Sequence, residues 1–284
     1  MTADPRDILT RWAPRPDFTV RYGSHPEQVA DVRLPSHGPT GPLVIFIHGG
    51  FWMAGYDRGH TAPLAVDLAA CGYPVATIEF RRVGQDGGGW PGTFTDVADA
   101  VARVPELIAE ALTSRGRSVP DLSRPILAGH SAGGHLALWS AGQAAATGRS
   151  GTGAAAAPVR GVLALAPVAD FALAHRLGLG GGAVAALLGG GPDEVPERYA
   201  AADPMRLLPS RVRTVVVHGT EDDRVPIEVS RSYVAAARAS GDDASLVELP
   251  GTEHFAVIDP QSAVWSHVLG AFRALRGEWG VEAD

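Results

Sequence analysis

The chain has 284 residues, 45% of them hydrophobic and 19% charged, and a formal net charge of −7; a chain of this size can bury roughly three quarters of its unfolded surface in a core. Every one of the 24 Lys+Arg residues is an arginine, which excludes a Schiff-base lysine, a Walker lysine and a Ser-x-x-Lys hydrolase, and the acidic balance without a basic cluster argues against nucleic acid as a partner. The single cysteine, Cys71, allows neither an internal disulfide nor a multi-thiolate zinc site.

The opening stretch Met1–Trp12 is polar and broken by Pro5, so it does not read as a secretory signal, and no apolar run approaches the roughly 18 residues of a membrane span. The expectation is a cytoplasmic globular protein with no membrane partner. Thr19–Arg21 and Val29–Leu34 predict antiparallel strands at the leading edge. The runs Leu43–Ile47, Val75–Phe80, Ile126–Ala128, Val162–Leu165, Val215–Val217 and Leu246–Leu249 are mostly continuous in apolar residues, as expected of strands covered on both faces. Helix-length segments alternate with them: Ala62–Cys71, stopping at Gly72; Phe94–Leu112, entered through the capping pattern Thr93…Asp96; Ile227–Ser240, between Pro226 and Gly241; and Gln261–Leu275, closing at Gly277. Alternation of this kind predicts one α/β domain over residues 1–284, with a mainly parallel sheet flanked by helices. Gln143–Pro158, nearly all Ala, Gly, Ser and Thr, reads as a surface loop. Val168–Ser210 is too long for a simple connection and, together with the N-terminus, reads as a small cap or pocket wall.

Gly129-His-Ser-Ala-Gly133 fits G-x-S-x-G, a sharp strand-to-helix turn that exposes a serine oxygen. A strand run precedes it and His135-Leu-Ala-Leu-Trp139 opens a helix after it, so Ser131 is the candidate nucleophile. A serine needs a base and the base an orienting acid, in the chain order serine, acid, histidine. Of the ten histidines, His254 lies directly after the last strand run, whereas His218 ends its own strand and His267 is inside the last helix. His254 is therefore the candidate base. The loop after Val217 offers Glu221, Asp222 and Asp223; Asp222 is the choice for the acid, Asp223 its rival, and Glu221 reads as a solvated turn residue. His48-Gly-Gly-Phe-Trp52 follows the first central strand, and the N–H groups of Gly49, Gly50 and Ala132 are candidates for an oxyanion hole. Phe51, Trp52, Trp90 (in Gly87-Gly-Gly-Trp-Pro-Gly92) and Phe255 adjoin these motifs and are candidates for a substrate-binding wall. Gly178-Leu-Gly-Gly-Gly-Ala183 satisfies G-x-G-x-x-A but follows no strand, so a dinucleotide cofactor is not expected. No local His/carboxylate pattern suggests a metal.

The combination HGGFW…GHSAGG…HGTEDDRVP…GTEHF resembles the α/β-hydrolase superfamily, from about Leu43 to Leu275, and in particular the hormone-sensitive-lipase-like esterases and kynurenine formamidases (arylformamidases). The resemblance implies an α/β-hydrolase fold of about eight strands. It also implies Ser131, Asp222 and His254 as a triad, with Asp222 at the aspartate of HG-x-x-D-x-x-V-P, and Gly49, Gly50 and Ala132 as oxyanion donors. The activity it implies is cofactor-free and metal-free hydrolysis of a small-molecule acyl substrate, either a short-acyl ester or an aryl formamide. A general carboxylesterase of the lipase group is the alternative, and a ligand receptor on the same fold a more remote one. The sequence sets no oligomeric state.

Overall fold

Short apolar runs dominate the middle of the chain, and they line up as the core of one sheet. In β3 (Val44–Ile47), Val44 and Phe46 join the buried cluster on one face while Ile45 and Ile47 join that on the other, the alternation that a pleated strand imposes. The computed structural model describes residues 4–38, 41–147 and 158–277. Besides β3 the sheet contains β1 (Phe18–Arg21), β2 (Val29–Arg33), β4 (Val75–Ile78), β5 (Ile126–His130), β6 (Gly161–Leu165), β7 (Thr214–Gly219) and β8 (Ala244–Leu249). The eight strands stand in the order β1-β2-β4-β3-β5-β6-β7-β8. Only the β1–β2 and β2–β4 pairs are antiparallel; from β4 to β8 every pair is parallel, with Val44 opposite Val75 on one side and Ile126 on the other.

Helices α1 (Ala62–Ala70) and α8 (Trp265–Arg276) cover the Val44 and Phe46 face. On the opposite face lie α2 (Gly92–Thr113), α3 (Ala132–Thr147) and α7 (Glu228–Ala239). In α2, Val97, Val101, Val104, Ile108 and Leu112 are buried at helical spacing. The capping pattern read at its start is not used as a cap. No side chain caps α2; instead Thr93 Oγ1 donates to the Arg81 carbonyl at 2.6 Å and Asp96 receives Arg81 Nε and Nη2 at 2.9 and 2.7 Å. Both residues are fully buried, and there a carboxylate gains more from a guanidinium than from helix N–H groups.

Helix α3 runs to Thr147, into the stretch read as loop from Gln143, because its alanines favour helix; residues 148–157 of that stretch lie outside the described residues. Helix α8 starts four residues later than Gln261, after a 3-10 turn at Ala256–Ile258, and its stop at Gly277 has the left-handed φ of 98° that glycine permits.

The excursion over 168–210 is largely helical and packs on α3, whose His135 and Trp139 side chains reach the Ala202 and Ala201 carbonyls. It consists of α4 (Phe171–Arg176), α5 (Ala183–Leu188) and α6 (Pro196–Ala202) with intervening 3-10 turns. Asp170 caps α4 by accepting from the Leu173 N–H at 2.8 Å, and Phe171, Val184, Leu187 and Leu188 anchor the segment in the core. The glycine run Gly178–Gly182 forms a 3-10 turn between α4 and α5, with no preceding strand to build a dinucleotide site. At the other end of the chain, Pro5–Leu9 forms a 3-10 turn whose Ile8 is fully buried. Arg11 pairs with both oxygens of Asp259, Nη2 to Oδ2 at 2.8 Å, and ties this turn to the loop before α8.

Candidate active site

Ser131 sits between β5 and α3 with φ of 54°, a left-handed conformation that a non-glycine residue adopts at a cost of about 1–3 kcal/mol. The surrounding structure imposes it. Ser131 N–H donates to the Leu165 carbonyl at 2.8 Å, and the Ser131 carbonyl accepts from His135 N–H at 3.0 Å. The turn is tight enough that a Cβ on Gly133 would stand 2.0 Å from the Ile47 carbonyl oxygen, so helix α3 approaches β3 only because residue 133 is glycine.

His254 lies after β8 and Asp222 after β7. Nδ1 of His254 donates to Asp222 Oδ2 at 2.6 Å, and both residues are buried. Three further donors hold the carboxylate: His218 Nε2 reaches Oδ2 at 3.1 Å, and the N–H groups of Arg224 and Val225 reach Oδ1 at 2.8 Å each. His218 is itself fixed by Ser230 Oγ on Nδ1 at 2.6 Å and by the Val225 carbonyl on Nε2 at 2.8 Å. Burial pushes the Asp222 carboxyl up, but the hydrogen bonds from His218 and His254 outweigh it, and the group titrates below its ordinary value. Asp223, by contrast, is 74% exposed, and among the described residues its ion-pair partner is Arg224 Nε, at 3.4 Å. Among the described residues no hydrogen bond links the Ser131 hydroxyl to the His254 ring, although both face one pocket; such links are often long before substrate binds.

Two histidines hold the flanking loops. His130 Nε2 donates to the His254 carbonyl at 3.0 Å, its ring centroid 4.5 Å from that of His254; burial, then the nearby His254, keep it neutral by pushing its pKa well below 6.5. Beneath the glycines after β3, His48 places Nδ1 on the Gly49 carbonyl at 2.7 Å and Nε2 on Glu79 Oε1 at 2.8 Å. Burial raises the Glu79 carboxyl, yet His48, Arg82 and the Arg58 N–H together bring it down to about 2. Gly49 is pressed against this frame: a Cβ there would lie 3.2 Å from Cβ of Ser131. Ala132 begins α3, so its N–H has no acceptor within the helix.

The pocket beside Ser131 has a volume of about 180 Å³, and its walls include Gly50, Phe51, Tyr56, His60, His130, His254 and Phe255. An apolar cavity of roughly 150 Å³ accepts a benzene-sized group, so the space takes a small acyl or aryl moiety. Of the four aromatic wall candidates, Phe51 and Phe255 face the pocket. Trp52 and Trp90 do not. Phe51 and Trp52 have successive left-handed φ values of 50° and 58°, a turn that leaves Phe51 against Gly180 of the cap while Trp52 is 1% exposed between His135 and Phe171. Trp90 packs on Phe94 at 5.1 Å and joins the core. Sequence reading missed the supporting roles of His218 and His130. Both lie inside the quoted motifs, and a histidine ending a buried strand beside a site loop was the available signal. The N-terminus, expected in the cap, does reach the pocket wall, through Arg6 and Leu9, two residues that nothing local marked.

Comparison with known proteins adds the lineage. The BD-FAE family model matches residues 30–236 of the 284. The chain belongs to the BD-FAE family. This BD-FAE chain is 28% identical over 296 residues to the esterase LipC of Mycobacterium tuberculosis, covering 94% of the chain and 71% of LipC. It is 26% identical over 254 residues to the isoprenylcysteine alpha-carbonyl methylesterase ICME of Arabidopsis thaliana, covering 83% of the chain and 56% of ICME. The BD-FAE chain thus spans little more than half of that plant relative. A truncated carbohydrate esterase from gut microbiota superposes with a TM-score of 0.74 at 21% identity, over 92% of the chain and 97% of the other. Esterase B of Lactobacillus rhamnosis superposes with a TM-score of 0.73 at 21% identity, over 96% and 91%. These structures establish the α/β-hydrolase fold of this BD-FAE member. Among its described residues no helix is long and apolar enough to cross a membrane.

Proposed function

We propose that this protein is a carboxylesterase-type hydrolase that cleaves small carboxylic esters through an acyl-enzyme on Ser131. The observation that carries the reading is the His254–Asp222 hydrogen bond of 2.6 Å in the same pocket as a serine held in the left-handed conformation of a strand-to-helix turn. With its Nδ1 proton committed to Asp222, His254 is the tautomer whose Nε2 lone pair accepts the Ser131 proton as Oγ attacks the ester carbonyl. The developing oxyanion meets the N–H groups of Gly49, Gly50 and Ala132. The His254 imidazolium then protonates the departing alcohol oxygen, and a water molecule repeats the sequence to release the acid and restore Ser131. The esterase names of the relatives support the ester as the bond cleaved.

Aryl formamides are a second substrate class for the same groups. Formyl is the smallest acyl group, and Phe51 and Phe255 provide apolar walls for an aromatic leaving amine. A fluorophosphonate probe with peptide mapping, beside 4-nitrophenyl acetate and an N-formyl arylamine as substrates, tests both readings. The expected result is stoichiometric labelling of Ser131, ester turnover, and a loss of about 10⁴–10⁶ in rate for Ser131→Ala. Near-wild-type turnover by that variant would end the proposal, and ester turnover without deformylation would leave the esterase reading alone.

A further inference from the structure

The pocket wall is one-sided in charge. Its eleven lining residues include Arg6 and Arg224 and neither an Asp nor a Glu, although the chain as a whole is acidic. Arg224 stands two residues after Asp222, and its backbone N–H is bound to that carboxylate, which fixes where its side chain starts. Its Nε is shielded from solvent and makes no hydrogen bond; Asp223 lies 3.4 Å away, outside hydrogen-bond geometry, and is 74% exposed. Arg6 arrives from a separate segment, the N-terminal turn anchored by buried Ile8 and by the Arg11–Asp259 pair. Its own counter-ion, Asp4, is 3.9 Å away, with both side chains more than 60% exposed.

Exposed pairs of this kind contribute little, so neither aspartate holds its arginine against a competing anion. The Arg224 side chain is 41% exposed at the pocket wall and lacks a hydrogen-bonded carboxylate on Nε, so its accessible guanidinium edge is open to a ligand carboxylate in the planar, two-bond geometry that guanidinium favours. His60 and His130, also in the wall, do not share the task. Burial, helped by His48, brings His60 down to about 4, and His130 is neutral.

Building on the esterase reading above, we infer that the substrate carries a carboxylate beyond the scissile ester, and that Arg224 and Arg6 bind it. Phe51 and Phe255 then flank the apolar body between the ester and the anion.

Two substrate pairs test this with the whole chain. 4-Acetoxybenzoate against its methyl ester places the charge on the leaving side. Mono-4-nitrophenyl adipate against 4-nitrophenyl hexanoate places it on the acyl side. The expected result is a kcat/KM about tenfold or more higher for the charged member of one pair. That preference should fall with rising salt, shrink in Arg6→Gln and in Arg224→Gln, and approach unity in the double variant. Arg231→Gln, whose guanidinium pairs with Glu248 outside the pocket, should keep the preference. Equal kcat/KM within both pairs, or a preference that survives the double variant, would overturn the inference. Absence of turnover on every ester, with Ser131 unlabelled by the fluorophosphonate, would instead remove the esterase reading and the inference with it.

Discussion

Replacing Asp222 by asparagine tests the site at its most constrained point. The carboxylate accepts four donors: His254 Nδ1 and His218 Nε2 on Oδ2, and the N–H groups of Arg224 and Val225 on Oδ1. An amide offers one acceptor oxygen and two new N–H donors, so whichever way it is flipped, two existing donors face an NH₂. If the amide nitrogen faces the two imidazoles, His254 must move its proton to Nε2 to avoid the clash. It then presents a donor to Ser131 and cannot act as base. The expected fall in kcat is about 10⁴, the scale reported for the equivalent acid-to-amide change in a serine protease. If the nitrogen faces the backbone instead, two buried N–H groups lose a charged acceptor. Hydrogen bonds to charged groups are worth about 1.5–3 kcal/mol each, so the variant should lose about 3–6 kcal/mol of stability. Asp223→Asn is the control, since that side chain is exposed and its ion-pair partner among the described residues is Arg224, and it should change kcat by less than about threefold. Turnover of 4-nitrophenyl acetate and urea unfolding read both effects on the same samples. Folded Asp222→Asn that retains more than about a tenth of wild-type kcat and also unfolds at the wild-type urea midpoint would refute both branches, as would Asp223→Asn being the more damaging change.

Asp203 is the pH-sensitive counterpart. Burial raises its carboxyl to about 6 despite hydrogen bonds from Met205 and Phe171 N–H, so its folded-state pKa lies above the unfolded one. It therefore favours folding below about pH 4 and loses that contribution as pH rises through about 6, a difference of about 3 kcal/mol. Both N–H groups bond to Oδ1, which asparagine retains, so Asp203→Asn should raise Tm at about pH 8 more than at about pH 4; equal shifts at the two would refute the assignment. Gly133→Ala would place a Cβ 2.0 Å from the backbone oxygen of Ile47, and a loss above about 3 kcal/mol or failure to fold is expected, with a wild-type melting curve as the contrary result. His130→Phe keeps a ring beside His254 but leaves the His254 carbonyl without its donor; a destabilisation of about 1–3 kcal/mol is expected in thermal unfolding, and no change would mean that this hydrogen bond is dispensable.

The sheet was largely legible because most central strands are continuous apolar runs, and continuous runs identify strands buried on both faces. Their ends were less so. Val75–Phe80 shortens to Val75–Ile78, since Glu79 turns its side chain to His48 and the Arg58 N–H, contacts distant in sequence. Within the site, the position of Ser131, Asp222 and His254 relative to the strands followed from motif spacing. The aromatic walls did not. Trp52 and Phe51 are equivalent as sequence neighbours of the glycines, and only two consecutive left-handed residues, unreadable without coordinates, send one into the core and the other to the pocket. The Thr93…Asp96 pattern misled for a related reason: a capping pair presumes a solvent-facing helix start, whereas this one is buried against Arg81.

The glycines after β3, Ser131 after β5, Asp222 after β7 and His254 after β8 all hang from strand ends in one hydrogen-bonded sheet. Part of what surrounds them comes from elsewhere: Arg6 and Leu9 from an N-terminal turn, and Gly180, behind Phe51, from the helical excursion, neither segment part of the sheet. The pocket wall thus has two sources, the loops that carry those glycines, Ser131, Asp222 and His254, which also supply Phe51, Arg224 and Phe255, and a segment outside the sheet, which supplies Arg6 and Leu9. An engineer seeking to reshape this pocket can therefore diversify the N-terminal turn and the excursion first, because neither segment carries Ser131, Asp222 or His254.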